Sequence, residues 1–548
     1  MSDSPFQQEY ADHLLTQAKQ GRMSRRQLLV RASVLGLSAT VVGRLLAACG
    51  EDEAATTASP TAQPKAGGTI RVGMPPPIVA VDPTTMYDTG SIAVVQLVCE
   101  YLAWVENDLT LRPVLAESWE ADAEAKVWTF KLRQGATFHD GKPFGADDVV
   151  STFGILLDPD TISAALASFQ GILAEGAVEK VDDATVRFTL EQPFADFPYL
   201  VAQPNYDCLM LPAGYKGGWE KDPVGTGPFQ MVDYTAKQNA TFKKNASYWQ
   251  SGRPYVDEVK VVFNDEDQAL ALALQGGEID MMLVTPVQGS QQLFADATLK
   301  VLTTPSTTHR EWHLRVDAEP HKDKRVRQAL AWTIDRPALV AALFEGKAEV
   351  GNDHIFSPLY PLAPTDLPQR DKDIAKAKSL LSEAGYADGV EMTVTVEQYQ
   401  EIPQYATAVQ AMAKEAGIDL KLDVVTVDEY YGSGDNQPWL EVPQGITDWT
   451  FRGIPAQYFL PAFTSDGVWN SSHFANADFD QQGTIYNTEL DESKRRAAAK
   501  RMAEIMIDET PALITYWISV NRAMRKEVEG VTADPGEFLD LSNAWLNV

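Results

Sequence analysis

Histidine, cysteine and clustered glycine are the residues whose spacing most readily marks chemistry, and in this chain none of them forms a reactive constellation. His139, His309, His313, His321, His354 and His473 are scattered without the grouping of a metal site. Neither a nucleophile elbow nor a Walker loop occurs. Gly225-Thr226-Gly227 supplies the small residues that phosphate cradles use. A strand-like run, 229–234, follows it where a dinucleotide site needs a helix. Cys99 and Cys208 sit in the apolar contexts QLVCEYL and YDCLMLP. An oxidising compartment would permit a disulfide between them, but the setting favours two buried thiols. The pattern implies no catalysis, no metal and no cofactor, which leaves binding as the stronger reading and an enzyme as the weaker one.

One cysteine is different. Cys49 closes the run Leu46-Ala47-Ala48-Cys49, a lipobox, in which small residues admit a peptidase to the bond before cysteine and the thiol takes a diacylglyceryl group. Upstream, Ser24-Arg25-Arg26-Gln27-Leu28-Leu29 resembles a twin-arginine export signal, with Arg25 and Arg26 as its pair. The apolar stretch 32–43 is shorter than the roughly 20 residues of a membrane span and is flanked by Arg31 and Arg44. Residues 1–48 therefore read as a removed signal. Residues 49–66, rich in Ala, Thr, Pro and acid, read as a flexible tether. The expected product is exported and lipid-anchored through Cys49, on the periplasmic or cell-surface face of the cytoplasmic membrane.

Length and charge narrow the classes further. The 548 residues exceed one ordinary core, so two or three lobes are expected. A formal net charge of −30 repels nucleic acid and anionic headgroups. It favours cationic solutes weakly, and its main meaning is a solvated acidic surface.

The elements that must hold any site are organised around residues 115–157. Trp128, Phe130 and Leu132 alternate with Thr129, Lys131 and Arg133, the pattern of a half-buried strand. His139-Asp140-Gly141 makes a turn. Asp147 and Asp148 then lead a helix whose apolar positions are Val149, Val150, Phe153, Leu156 and Leu157. Further on come Val224-Gly225-Thr226-Gly227-Pro228-Phe229 and a run from Val326 to Arg336. In the latter, Asp335 and Pro337 suit the start of a helix. Helices over 92–102, 374–384 and 402–416 and strands over 392–396 and 420–427 follow from periodicity, and the βαβ alternation implies helices packed on a sheet.

Taken in order, these segments closely resemble the family 5 extracellular solute-binding proteins, the peptide, nickel and oligopeptide receptors of ABC importers. The resemblance implies an α/β, two-lobed, periplasmic-binding-protein-like (type II) fold with an extra α+β subdomain in lobe one. On that scheme lobe one comprises 67–115, 216–310 and 518–548, the subdomain 116–215 and lobe two 311–517. The implied protein is a monomer that captures a small solute, peptide or peptide-like, by hinge closure and delivers it to an ABC permease and its ATPase. A surface sensor or adhesin on the same fold is the alternative.

The family's groove lies between the lobes, crossed by a segment that matches residues 447–460 here. The resemblance brings Asp448, Trp449 and Arg452 to that groove, with Tyr87 from an early loop and Tyr516 from the strand that recrosses to lobe one. Peptide-binding members place a carboxylate for a free amino terminus in this segment. The chain has Arg452 and Gly453 to Ala456 there instead, so free-amino peptides are expected to bind weakly, and Arg452 suits an anion or a structural ion pair.

Overall fold

A computed structural model describes residues 63–548 apart from 162 and 433–435. Arg25, Arg26, Cys49, the signal and most of the tether lie outside the described residues.

The chain enters on strand β1 (Thr69–Met74), whose Ile70, Val72 and Met74 are buried. Helix α1 (Thr89–Gln96) is capped by Asp88, which accepts from Ser91 N at 2.9 Å. It is shorter than its apolar run suggests. The carbonyls of Leu97 and Val98 leave the helix to accept from Phe229 N (3.0 Å) and Gly227 N (2.8 Å). A β-carbon at Gly225 would stand 2.1 Å from the Val98 oxygen, and one at Gly227 2.6 Å from it. The two glycines therefore serve close backbone docking.

A four-stranded sheet follows, built from β2 (Ala116–Ala121), β3 (Val127–Leu132), β4 (Val178–Asp182) and β5 (Thr185–Thr189) in the order β2-β3-β5-β4. The alternation of β3 is realised, with Trp128, Phe130 and Leu132 buried. Helix α2 (Ala146–Leu156) packs on this sheet, and its Asp148 accepts from Gly145 N at 2.8 Å. The His139 turn is fastened to the glycine segment: its N–H donates to Gly225 O (2.9 Å) and its ring Nε2 meets Gly227 O (3.0 Å). The two strongest sequence motifs thus hold each other. Cys99 and Cys208 are free and buried, and burial pushes both thiols up in pKa.

The remaining strands of lobe one are β6 (Phe229–Thr235), β7 (Asn239–Lys244), β8 (Glu258–Phe263) and β9 (Met281–Met282), with α3 (Asp267–Gly276) between the last two. β10 (Leu299–Leu314) then runs 16 residues out of this lobe. Lobe two follows with α4 (Lys324–Thr333), α5 (Arg336–Phe344), β11 (Ala348–Val350), α6 (Ile374–Glu383), β12 (Val390–Glu397), α7 (Ile402–Lys414), β13 (Ile418–Val425) and β14 (Gln444–Trp449). Asp335 caps α5 by accepting from Ala338 N at 3.0 Å. Helices α8 (Ala456–Phe463), α9 (Ala477–Thr488) and α10 (Glu492–Glu509) precede β15 (Tyr516–Arg525).

One sheet carries both lobes, in the order β13-β12-β14-β10-β15-β9-β1-β8-β7-β6, with β11 beside β15. β1 is parallel to β8 and β9, and β12 is parallel to β13 and β14. Among the described strands, β10 and β15 cross from one half to the other. They pair antiparallel from Leu299↔Arg525 to Pro305↔Ser519, and the register then shifts before His309↔Trp517. Proline cannot donate to the ladder, so Pro305 marks where pairing loosens. Lobe two has an apolar cluster around Trp312, Leu330, Tyr405 and Tyr516, while the largest cluster runs from lobe one into Phe459 of α8, Phe479 of α9 and Met502 of α10.

Candidate functional site

The strands β1, β8 and β9 end at the crossing, and a cavity of about 290 Å³ opens there. Ligands of open α/β sheets gather beyond strand C-termini for this reason: the loops diverge and leave room. Residues 284–288 after β9, Asp267 at the start of α3 and Glu537 wall it from lobe one. Phe344, at the end of α5, and Glu401 wall it from lobe two, and residues 518–521 of β15 run along it.

Behind Glu401 lies a buried charge cluster. The Arg310 guanidinium is ion-paired with Asp448 and donates to Gln400 Oε1 (2.8 Å) and Glu401 Oε2 (3.1 Å). Tyr516 donates its hydroxyl to Glu401 Oε1 at 3.1 Å, and Tyr431 donates to Glu397 Oε1 at 3.2 Å. Burial raises Asp448 despite Arg310, and it lifts Glu397 to about 7. The carboxylates outnumber the guanidinium that serves them.

On the opposite face of β10, Trp449 stacks parallel to His309 with ring centres 6.5 Å apart and meets Tyr458 edge-on at 5.4 Å. It is 5% exposed, so the ring is packed in the protein interior. Burial drops His309 to about 3, so it stays neutral. Glu311 is 1% exposed and accepts no hydrogen bond among the described residues. Burial pushes its carboxyl up to about 8, with the Trp449 indole opposing.

Arg452 is fixed by its backbone. Thr307 Oγ1 accepts from Arg452 N (2.9 Å) and donates to Arg452 O (2.9 Å), and Tyr360 donates to the same carbonyl at 3.1 Å. The half-buried guanidinium reaches Thr450 Oγ1 at 3.3 Å, and among the described residues no carboxylate lies within 4.0 Å of it. Of the two roles open to Arg452 in sequence, a salt bridge within the chain is absent from the described residues.

The structure brings Asp448, Trp449, Arg452 and Tyr516 to the crossing, but on different faces. Tyr516 lies in the core of lobe two against Phe344 (4.9 Å) and Tyr405 (5.1 Å), and only its hydroxyl points toward Glu401. Tyr87 sits on the loop between β1 and α1, is 59% exposed and does not line the cavity. Sequence reading missed Arg310, Glu401, Glu537 and Asp267. The signal for the first was present: the run His309-Arg310-Glu311-Trp312-His313 is charged where a central strand, buried on both faces, should be apolar.

The lobes meet again far from the crossing. Asp196, in the segment after the small sheet, is ion-paired with Arg495 of α10, and Ala195 N donates to Asn487 O at 2.6 Å. Arg495 also donates to Tyr486 O at 2.8 Å. The C-terminal end of α10 is held by lobe two, where Arg327 donates to Glu509 O at 2.6 Å. The helix therefore links Arg327 of α4 to the segment that follows the small sheet.

Two α/β lobes joined by two crossing strands, with a cavity between them, define a type II periplasmic-binding-protein fold. Residues 110–471 match the family of bacterial extracellular solute-binding proteins, family 5, and the chain belongs to that family. The glutathione-binding protein GsiB of Salmonella typhi is 28% identical over 443 residues, covering 79% of this chain and 85% of that protein. The dipeptide-binding protein of Escherichia coli (strain K12) is 27% identical over 482 residues, covering 82% and 88%. The ABC transporter-associated periplasmic binding protein DppA from Helicobacter pylori, solved with the peptide STSA, superposes with a TM-score of 0.70 at 22% identity, covering 88% of this chain and 99% of that one. The family consists of substrate-binding transport proteins, not enzymes.

Proposed function

We propose that this chain captures a small solute between its lobes and delivers it, chemically unchanged, to an ABC permease and its ATPase. The observation that carries the reading is the cavity walled by both lobes where β10 and β15 cross. A solute that touches both walls gains its second set of contacts only on closure, so it shifts the population toward the closed form. The closed form then offers the permease a combined surface of both lobes. The names of the relatives, glutathione- and dipeptide-binding proteins, support a solute of peptide-like size. Tyr87, Asp448, Trp449, Arg452 and Tyr516 do not line the cavity itself, and they are proposed only as surroundings of the groove, with Asp448 and Tyr516 supporting its wall through Arg310 and Glu401. Arg452 disfavours an amino terminus at its position, so ordinary free-amino peptides bind weakly there.

The test is native mass spectrometry of the purified protein, followed by small-angle scattering before and after the released solute is added back. A bound small molecule whose return shrinks the radius of gyration is the expected result. Absence of any bound solute together with an unchanged radius for every solute tried would remove the reading. We further propose that Cys49 carries the lipid anchor, on the strength of the lipobox. Cys49→Ala should move the protein from the membrane fraction to the soluble one, and continued membrane retention counts against lipidation.

A further inference from the structure

The cavity at the crossing has a charge imbalance that points to the kind of solute it takes. Asp267, Glu401 and Glu537 line it, and among the described residues no Lys, Arg or His does. Glu401 is already engaged by Arg310. Glu537 and Asp267 form no ion pair and accept no side-chain hydrogen bond among the described residues. The other nearby cation, Arg522, is buried beneath and committed to main-chain carbonyls: Leu283 O (2.8 Å), Thr532 O (2.6 Å) and Phe538 O (3.1 Å).

Neutral groups along the strand edge are also unfilled. Ser519 is 7% exposed, and its hydroxyl makes no hydrogen bond among the described residues. Asn521 is 3% exposed; its Oδ1 accepts from Thr303 at 2.7 Å while its amide nitrogen has no protein partner among the described residues. Both line the same cavity. Buried polar groups are rarely left unpaired. A buried free hydroxyl and a buried free amide, with the half-buried Glu537 beside them and the exposed Asp267 at the mouth, leave the cavity shaped for a polar guest.

The apolar part of the lining comes from Val287, Phe344, Ile518 and Val520. At about 290 Å³ the space lies at the lower end of small-molecule pockets, roughly 300–1,000 Å³.

We propose that the captured solute is a compact organic cation, its ammonium or guanidinium group held between Glu401, Glu537 and Asp267 and its aliphatic stem laid on Phe344 and Val287. This rests on the solute-capture reading above and names the class of solute. Burial raises Glu537, with Arg522 opposing, and a bound cation would add to that opposition. The site also differs from a carboxylate placed at Arg452: the positive end of the solute sits beside the hinge strands, away from Arg452.

Calorimetry with matched probes tests the charge directly. The pairs are N-acetyl-L-arginine amide with N-acetyl-L-citrulline amide, and N-acetyl-L-lysine amide with N-acetyl-L-norleucine amide; N-acetyl-L-glutamate amide supplies the anion. The charged member of at least one pair should bind about tenfold or more tightly than its neutral partner, the scale of one charge-assisted hydrogen bond. Glu537→Gln and Asp267→Asn, which break no ion pair, should each bring that ratio toward one. Equal binding within both pairs, preference for the neutral or anionic probe, no binding by any probe, or an unchanged ratio in both variants overturns the proposal. Identification of the copurified solute separates the two readings. A neutral or anionic solute sinks the cationic assignment and leaves solute capture standing, whereas a protein that holds no solute and never closes sinks both.

Discussion

Unfolding of the protein should be nearly independent of pH between about 4.5 and 6.5 and should become easier from there to about 8.5. Two sets of buried groups produce this shape. Burial lifts Glu311 to about 8, Glu100, Glu397 and Asp534 to about 7 and Asp207 to about 6. Each such acid keeps its proton in the folded chain after the unfolded chain has lost it, so its stability contribution is complete below the unfolded value and is lost as pH rises to the folded one. Buried histidines act in the opposite sense. Burial lowers His309 and His313 to about 3 and His321 and His354 to about 4. Between those values and 6.5 only the unfolded chain binds their protons, so stability rises with pH until about 6.5 and is then level. The two slopes oppose each other below 6.5, and above it only the acids remain. Glu311, with the highest value, should account for the largest part of a loss of roughly 2–5 kcal/mol between pH 6.5 and 8.5. Glu311→Gln imitates the neutral acid. Its unfolding midpoint should match the parent at about pH 4, exceed it already at pH 6 and exceed it most at pH 8.5. A parent profile that stays flat to pH 8.5, or a variant that falls in parallel with it, would contradict the assignment.

The framework of this molecule is written locally, and its site is not. Alternation at Trp128, Phe130 and Leu132, the Asp335 cap before Pro337 and the paired helices and strands after residue 374 all depend on neighbours a few positions apart, so periodicity and cap chemistry reveal them. The helix over 92–102 misled because its end is decided by residues 227 and 229, which take the carbonyls of Val98 and Leu97 out of the helix. The cleft is the same problem enlarged. Arg310 and Asp448 are 138 positions apart, and Glu401 lies between them in sequence. Resemblance to a family leads to the segment around Asp448 and Trp449, since a motif is contiguous. It cannot show that Glu537, Asp267 and Glu401 share one cavity, because their meeting depends on how two lobes close on crossing strands. Buried charge in the His309–His313 run was the local trace that something at the crossing departs from an ordinary core.

Arg310→Met should be the most damaging single change in the cleft. The residue is 2% exposed, and its side chain joins Asp448, Glu401 and Gln400 one residue beyond the point where β10 and β15 resume their pairing. Methionine fills much of the volume but leaves two carboxylates with no counter-charge. Removing one partner from a buried ion pair costs about 3–5 kcal/mol, far more than the pair contributes over an apolar replacement, because the stranded charges remain. Two further results separate this cause from simple loss of packing. The deficit should be largest near pH 8 and shrink toward pH 5, where Asp448, raised by burial and freed from Arg310, can take up a proton. Asp448→Asn placed on top of Arg310→Met should recover part of the loss, since it removes one of the uncompensated charges. Solute affinity should fall as well, even where the variant remains folded, because Glu401 owes its position at the cavity wall to Arg310 and to the Tyr516 hydroxyl. Denaturant unfolding at pH 5 and pH 8 measures the first two effects and calorimetry with the released solute the third. A deficit under 1 kcal/mol at pH 8, or one of equal size at both pH values, would mean that Arg310 is not the charge on which the cleft is built.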